Sequence, residues 1–278
     1  MGEISPVVAS ISTGIARRAA GYTAELDRPD RRERELIDFL DDQVEAVLTQ
    51  LEEAVAQRPP SRQRHGGLIF RHLYAAARSP VPDEEGWQVP SALPAALIAA
   101  EVEFRGPLRL SARRQALLAE VYERLGAHLL GIGLPVHAAL AYRRAEGLYR
   151  MNEDIGGEDR CGLQLARANT RALPPGWRRW AGQLSDVLCG HGYRPFWLLG
   201  WVAVQLVVFT LLGVLVADPR SVAETVYMCV TSFLNPLGPG DTEGLGAAAR
   251  PIFAVESWAG TVSMSVFFAL LVRKWFRA

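Results

Sequence analysis

The chain of 278 residues carries 30 basic and 30 acidic side chains, so its formal net charge is zero. This balance gives no electrostatic reason to expect a nucleic-acid partner. The three cysteines are isolated and form no CxxC pair, which argues against a disulfide framework and against a zinc site, and we predict neither a metal nor another cofactor. The length suffices for one membrane module and one or two small soluble units.

The first 172 residues show the three- and four-residue spacing of apolar side chains that is typical of amphipathic α-helices. The clearest helix covers residues 32–57 and stops before Pro59 and Pro60. Further helices are predicted at residues 7–20, 68–77, 95–104, 112–150 (as a hairpin) and 160–172. The last of these follows a predicted break at Gly156 and Gly157. We therefore predict an all-α fold.

The predicted hairpin at residues 112–150 has a glycine turn at Gly131 and Gly133, and Pro135 opens its second helix. Its helices resemble a single tetratricopeptide repeat, with Tyr122, Leu125, Gly126 and Leu129 on the first and Ala138, Tyr142, Ala145 and Leu148 on the second. The small residues would let the helices approach closely. A partner-binding repeat and a plain packed hairpin both fit, because we find one copy and such repeats normally stack at least about three times.

Residues 176–189 form a predicted amphipathic helix with tryptophan on one face and arginine elsewhere. Because this helix comes just before a long apolar stretch, we expect it to lie in the membrane interface. The sequence Gly190-His191-Gly192 then lets the chain turn towards the bilayer.

Two apolar stretches follow, at residues 196–217 and 251–272, and each of about 22 residues is long enough to cross the hydrocarbon core as a helix. The amphipathic segment between them is too short to span. Basic residues collect on one side of the predicted crossings, at Arg171, Arg178, Arg179, Arg194, Arg273, Lys274 and Arg277, against Arg220 and Arg250 on the other. We therefore predict a multi-pass protein of the inner (plasma) membrane with both termini cytoplasmic.

This order of elements resembles the bacterial two-helix pore-loop channels of the potassium-channel superfamily. The sequence GHGYRPFW at residues 190–197 also resembles the lead-in of two-helix modules that are attached to soluble repeat domains. The resemblance implies a pore filter at Asn235, Pro236, Leu237, Gly238, Pro239, Gly240 and Asp241. It also implies that Glu256 is the acid and Gly260 the hinge glycine of the inner helix.

The filter sequence differs from the family's pattern. Pro236 stands in place of a threonine and Pro239 in place of a tyrosine or phenylalanine. Two prolines fix φ and remove two N–H groups, so we do not expect the stacked carbonyl rings that select potassium. Asp241 would instead form a ring of carboxylates at the outer mouth of an oligomer, and such a ring concentrates cations.

Glu256 is an acidic residue inside a predicted spanning helix. Such a residue costs about 2.5–3.5 kcal/mol at the bilayer centre, so it must face protein or water. Two roles fit it: a brace that accepts hydrogen bonds from the backbone of the pore loop, and direct contact with ions.

We divide the chain into a cytoplasmic helical domain (1–172), an interfacial helix with its hinge (173–192) and a pore-loop domain (193–278). The expected function is that of a tetrameric, weakly selective pore for monovalent cations in the lipid bilayer, regulated by a cytoplasmic domain with a possible protein partner. A non-conducting, membrane-anchored adaptor or sensor is the alternative. We find no GxSxG, HExxH or P-loop motif, so an enzyme is not predicted.

Overall fold

The computed structural model describes residues 6–28, 31–57, 67–81, 88–107, 110–216, 222–234 and 249–276. Within these ranges the regular structure is helical and no strand occurs, which confirms the predicted all-α fold class. The chain divides into two compact units, Met1–Arg179 and Trp180–Ala278, here called the N-terminal unit and the C-terminal unit. The division falls inside the segment that the sequence assigned to the interfacial helix.

The helices of the N-terminal unit follow one another as α1 (Pro6–Leu26), α2 (Glu33–Gln57), α3 (Arg71–Ala76), α4 (Ala92–Arg105), α5 (Ala112–Gly131), α6 (Pro135–Met151) and α7 (Ile155–Ala172). The next helix, α8 (Trp177–Cys189), crosses from this unit into the next. Each predicted helix is present. The main differences are at the ends: α1 runs six residues beyond the predicted end, and α7 begins earlier than predicted.

Helix α4 lies at the centre of the N-terminal core. Its sequence is almost entirely apolar, and eleven of its fourteen residues are buried. A helix that is apolar on all sides must be surrounded by other elements, and α1, α2, α3 and α5 all pack against α4.

Glu101 of α4 is completely buried, and both of its carboxylate oxygens accept hydrogen bonds. Tyr122 donates to Oε1 at 2.9 Å, Arg144 donates to both oxygens at 3.0 Å, and Arg105 donates to Oε2 at 2.8 Å. Burial and the negative charge of Glu101 raise the pKa of Tyr122 well above its usual range. Because this buried charge is paired and fully hydrogen bonded, it joins α4 to α5 and α6.

Glu103 is the second buried carboxylate of α4, and its partners come from different elements. It accepts hydrogen bonds from the backbone N–H of Ile69 (2.9 Å), the hydroxyl of Tyr74 (2.9 Å) and the guanidinium of Arg114 (3.0 Å). Burial, together with the negative charge of Glu103, raises the pKa of Tyr74. The carboxylate therefore fixes α3 and the start of α5 to the central helix.

Helices α5 and α6 form the predicted hairpin, and they approach closely at Gly126. A β-carbon at this position would lie 2.9 Å from the ring of Tyr142, so only glycine fits without a shift of the ring. Gly133 has a φ of 89° in the turn, and Pro135 is the first residue of α6. The structure thus confirms the mechanical role that the sequence predicted for the small residue.

The predicted break at Gly156 and Gly157 is wrong, because both glycines lie in the first turn of α7. Asp154 caps this helix by accepting a hydrogen bond from the backbone N–H of Gly157 at 3.0 Å. A β-carbon on Gly157 would lie 2.5 Å from the ring of Tyr149. Glycine therefore permits close packing of α7 on α6 at this point instead of ending a helix.

The C-terminal unit continues with a 3₁₀ turn (Gly190–Gly192), α9 (Pro195–Val216), α10 (Val222–Leu234) and α11 (Ala249–Trp275). Two of these helices are long and apolar enough to cross a membrane, in the stretches Phe196–Leu215 and Pro251–Val272. They correspond to the two spans that the sequence predicted.

The chain changes direction sharply at the 3₁₀ turn, where the sequence placed its hinge. Gly190, His191 and Gly192 have φ values of 55°, 51° and 87°, a left-handed conformation that glycine adopts readily and other residues rarely do. After the turn, the indole N–H of Trp201 donates to the carbonyl oxygen of Val187 at 3.2 Å. The first turns of α9 therefore lie against the C-terminal end of α8.

Candidate pore site

Helix α10 packs against both candidate spans. It has 13 residues, or about 20 Å at 1.5 Å per residue, whereas a hydrocarbon core is about 30 Å thick. It packs against both α9 and α11. The predicted arrangement of a short helix held by two long ones is therefore present in the structure.

The contact between α9 and α10 is made at Gly213. A β-carbon there would lie 3.2 Å from Cγ2 of Thr225, 3.4 Å from Sγ of Cys229 and 3.7 Å from the ring of Phe253 on α11. Thr225, Cys229 and Phe253 are all buried. A small residue on α9 thus allows all three helices to meet at one point, as is common where helices pack within membranes.

The contact between α10 and α11 is made at Gly260. A β-carbon on Gly260 would overlap the carbonyl oxygen of Phe233 and lie 3.0 Å from its Cγ atom. Phe233 lies in the last turn of α10, so this end of α10 is fixed beside Gly260. Helix α11 is continuous through Gly260, and the observed role of this glycine is close packing; its role as a hinge stays a prediction.

Glu256 is completely buried, one helical turn before Gly260. Neither of its carboxylate oxygens has a hydrogen-bond partner among the described residues. The thiol of Cys229 is a neighbour of this carboxyl group, but it is a weak donor and does not reach hydrogen-bond geometry. Native structures rarely leave a buried carboxyl group without a hydrogen-bond donor at either oxygen, so Glu256 is an unusual feature of this unit.

The hydroxyl side chains of α11 divide into two groups. Ser263 donates to the side-chain oxygen of Gln205 on α9 at 3.1 Å, and this bond joins the two candidate spans near their middles. Thr261 and Ser265 instead donate to carbonyl oxygens four residues earlier in α11. One of these three hydroxyl groups therefore makes a contact between helices, and the other two bond within α11.

The predicted filter residues Asn235, Pro236, Leu237, Gly238, Pro239, Gly240 and Asp241 lie outside the described residues. Of the predicted site, the structure places Glu256 and Gly260 together on one side of α11, against α10. Both were identified from the sequence, whereas the contacts of Gly213, Cys229 and Gln205 were not. Gly213 and Gln205 could have been noted as a small and a polar residue within an otherwise apolar span.

Another buried polar cluster lies in the N-terminal unit. The hydroxyl of Tyr22 donates to the carbonyl oxygen of Leu36 at 2.7 Å and lies 2.6 Å from Nε2 of His137. Nδ1 of His137 lies 2.8 Å from the carboxylate of Glu33, which also accepts the backbone N–H groups of Val136 and His137. The cluster joins α1, α2 and α6.

Within the described parts of the chain, no group of three or more histidine, cysteine, aspartate or glutamate side chains could hold a metal ion. Comparison of the chain with protein-family models, with curated proteins and with solved structures finds no match in any of the three.

Proposed function

We propose that the chain is one subunit of an oligomeric pore for monovalent cations, held in the membrane by α9 and α11 and regulated by its N-terminal helical unit. The order of the elements supports this proposal, because a short helix is packed between two helices that can span. The resemblance of the C-terminal residues to two-helix pore-loop channels supports it as well.

The observation that carries the proposal is the depth at which α10 ends. Phe233 contacts Gly260, which lies near the middle of the stretch Pro251–Val272. Ala249, where α11 begins, is eleven residues earlier, or about 16 Å along the helix. With α11 across the bilayer, α10 ends near half depth, whereas α11 begins at the membrane surface. A re-entrant pore loop requires this difference in depth.

Irregular backbone at such a depth is tolerated only where protein buries it or where it lines a water-filled cavity, because lipid offers no hydrogen bonds. A pore loop meets this condition. Glu256, buried beside α10 with two unpartnered oxygens, is an acceptor available to backbone N–H groups of that loop. We assign it the role of a brace for the loop.

Two features favour cations in the lumen. The C-terminal end of α10 carries the partial negative charge of the helix dipole, at the depth where Gly260 contacts it. Asp241 would add a ring of carboxylates at the outer mouth, as the sequence predicts. Pro236 and Pro239 argue for weak discrimination between potassium and sodium, because they remove backbone donors that would hold a rigid filter.

A single subunit cannot enclose a lumen with two spans and one loop, so a conducting form must be an oligomer. The resemblance implies four copies, with α11 around the pore and α9 towards lipid. The mass of the protein in mild detergent should correspond to four chains of 30.5 kDa each. A strictly monomeric species would contradict the proposal.

The second candidate function is a membrane-anchored adaptor that does not conduct, and the two prolines of the loop favour it. Planar-bilayer recording with purified full-length protein separates the two functions. We expect a cation current that is lost in Gly238→Val, a variant that narrows the predicted filter. A tetramer that remains silent under all tested voltages would support the adaptor instead.

A further inference from the structure

The apolar face of α8 is uncovered. None of the thirteen residues of this helix is buried. Four large apolar side chains share one face and are exposed: Trp177 (79%), Trp180 (67%), Leu184 (42%) and Val187 (52%). An apolar surface of this kind on a folded chain normally marks an interaction site.

The position of α8 relative to α9 indicates what covers that face. The indole N–H of Trp201 donates to the carbonyl oxygen of Val187, so the C-terminal end of α8 lies beside the second turn of α9. The guanidinium of Arg194 lies 5.6 Å from the ring centre of Trp197 in the first turn of α9. Tryptophan and arginine at the start of a spanning helix are typical of the headgroup region. The end of α8 is therefore level with the headgroups when α9 crosses the membrane.

The charge of α8 indicates which headgroups it meets. Arg178 and Arg179 follow Trp177 directly and flank the apolar face on its two sides, because successive residues of an α-helix are about 100° apart. Asp186 is the single acidic residue of the helix. Long arginine side chains beside a buried apolar face extend towards phosphate groups at the water boundary.

We propose that α8 lies in the membrane interface and binds anionic phospholipids, with its tryptophan face among the acyl chains and Arg178 and Arg179 on the lipid phosphates. This site rests on α9 crossing the membrane, and it does not depend on whether the pore conducts. It makes α8 a lipid-sensitive connection between the helical unit and the first span.

The test uses full-length protein reconstituted into vesicles, with an environment-sensitive NBD fluorophore on a Leu184→Cys variant. A Cys189→Ala background removes the half-exposed thiol of α8, and the other two cysteines are buried. Shielding of the label from the neutral quencher acrylamide reports insertion of the apolar face. The vesicles contain phosphatidylcholine alone or with about one third phosphatidylglycerol.

We expect stronger shielding in the anionic vesicles. The variant Arg178→Gln/Arg179→Gln should reduce the ratio of shielded to accessible label there by roughly tenfold. Molar salt should have a similar effect, because it screens charge. The matched control, Arg17→Gln/Arg18→Gln on α1, should leave the ratio of shielded to accessible label unchanged in both kinds of vesicle.

A label that stays open to acrylamide in anionic vesicles would overturn the proposal. Shielding that is equal in the two kinds of vesicle and unchanged in Arg178→Gln/Arg179→Gln would also overturn it, since the anionic phospholipids and the two arginines would then play no part. The quenching result and the current recording test different claims. A protein that does not conduct but whose α8 binds lipid contradicts only the proposed pore. A protein that conducts but whose label is accessible contradicts only the lipid site.

Discussion

Two fully buried glutamates show how differently one residue type is used in this chain. Glu101 receives hydrogen bonds on both oxygens from two arginines and a tyrosine, whereas Glu256 has no hydrogen-bond partner among the described residues. The first is a structural joint between helices. The carboxyl group of Glu256 has acceptor oxygens without donors, and we propose that backbone N–H groups of the pore loop supply the donors.

The sequence identified Glu256, because an acid inside an apolar span must face protein or water. It did not identify Glu101 as buried, since that glutamate stands near the end of a helix, where acids are normally exposed. Its burial depends on Tyr122 and Arg144, which lie on other helices and come together with it only in the folded unit.

The variant Glu256→Gln tests the brace at the residue scale. The amide keeps the size of the side chain but replaces one acceptor oxygen with an NH₂ donor, so hydrogen bonds from the N–H groups of the loop should weaken. We expect a normally assembled tetramer whose cation current falls at least several-fold in planar-bilayer recording. The control Ser265→Ala changes an exposed hydroxyl on the same helix and should leave the current unchanged. An undiminished current in Glu256→Gln would show that the carboxylate does not support the pore.

At the scale of helices, periodicity predicted which segments are helical but not how closely they pack. The error at Gly156 and Gly157 illustrates the limit. Two adjacent glycines normally indicate a break, yet Asp154 caps the helix and the ring of Tyr149 occupies the space beside Gly157. The contact that decides the outcome is made by Tyr149, which lies in the preceding helix. The local sequence around the glycines does not show where that side chain points.

The close contact in the α5–α6 hairpin leads to a prediction about stability. In Gly126→Ala the new methyl group would meet the ring of Tyr142, and overpacking of this kind costs about 1–3 kcal/mol. The control Gly147→Ala lies within α6 with open space around it, and it should stabilise the helix by roughly 0.5–1 kcal/mol. Unfolding followed by circular dichroism measures both. Equal stability of the two variants would contradict the packing at Gly126.

The same comparison applies to α10 and α11. A methyl group in Gly260→Ala would overlap the carbonyl oxygen of Phe233. Because that oxygen belongs to the backbone of α10, the overlap can be relieved only if α10 moves. We expect the free energy of unfolding to fall by about 1–3 kcal/mol and the fraction of tetramer in detergent to be smaller. The control Gly200→Ala on α9 has no neighbour within 4 Å and should behave like the natural protein. If Gly260→Ala assembles and melts normally, α10 does not end at this glycine.

At the scale of the whole molecule, periodicity predicted a helical N-terminal region and composition predicted two possible spans, and the structure contains both. The direction of the chain in the membrane depends on basic residues in the flanking segments. Their asymmetry predicts that both termini lie in the cytoplasm. The number of subunits cannot be derived from one chain's periodicity, because it depends on surfaces that meet only between copies.

Cysteine labelling from outside the cell tests the topology. Thr242→Cys, in the connection between α10 and α11, should react with a membrane-impermeant maleimide, and Ser10→Cys on α1 should react only after the membrane is opened. The background is Cys189→Ala. Cys161 should not interfere, because burial, with a contribution from the charge of Glu123, raises the pKa of its thiol to about 12. Reaction of both introduced cysteines from outside would contradict the two-span arrangement.

The measurement that tests the central claim most directly is the reversal potential of the purified full-length protein in a planar bilayer under bi-ionic conditions. We predict a cation current with little discrimination between potassium and sodium. Asp241→Asn should reduce its conductance most at low salt, where screening of the carboxylate ring is weakest. A strongly potassium-selective potential, an anion current or the absence of any current would contradict the account of a weakly selective cation pore.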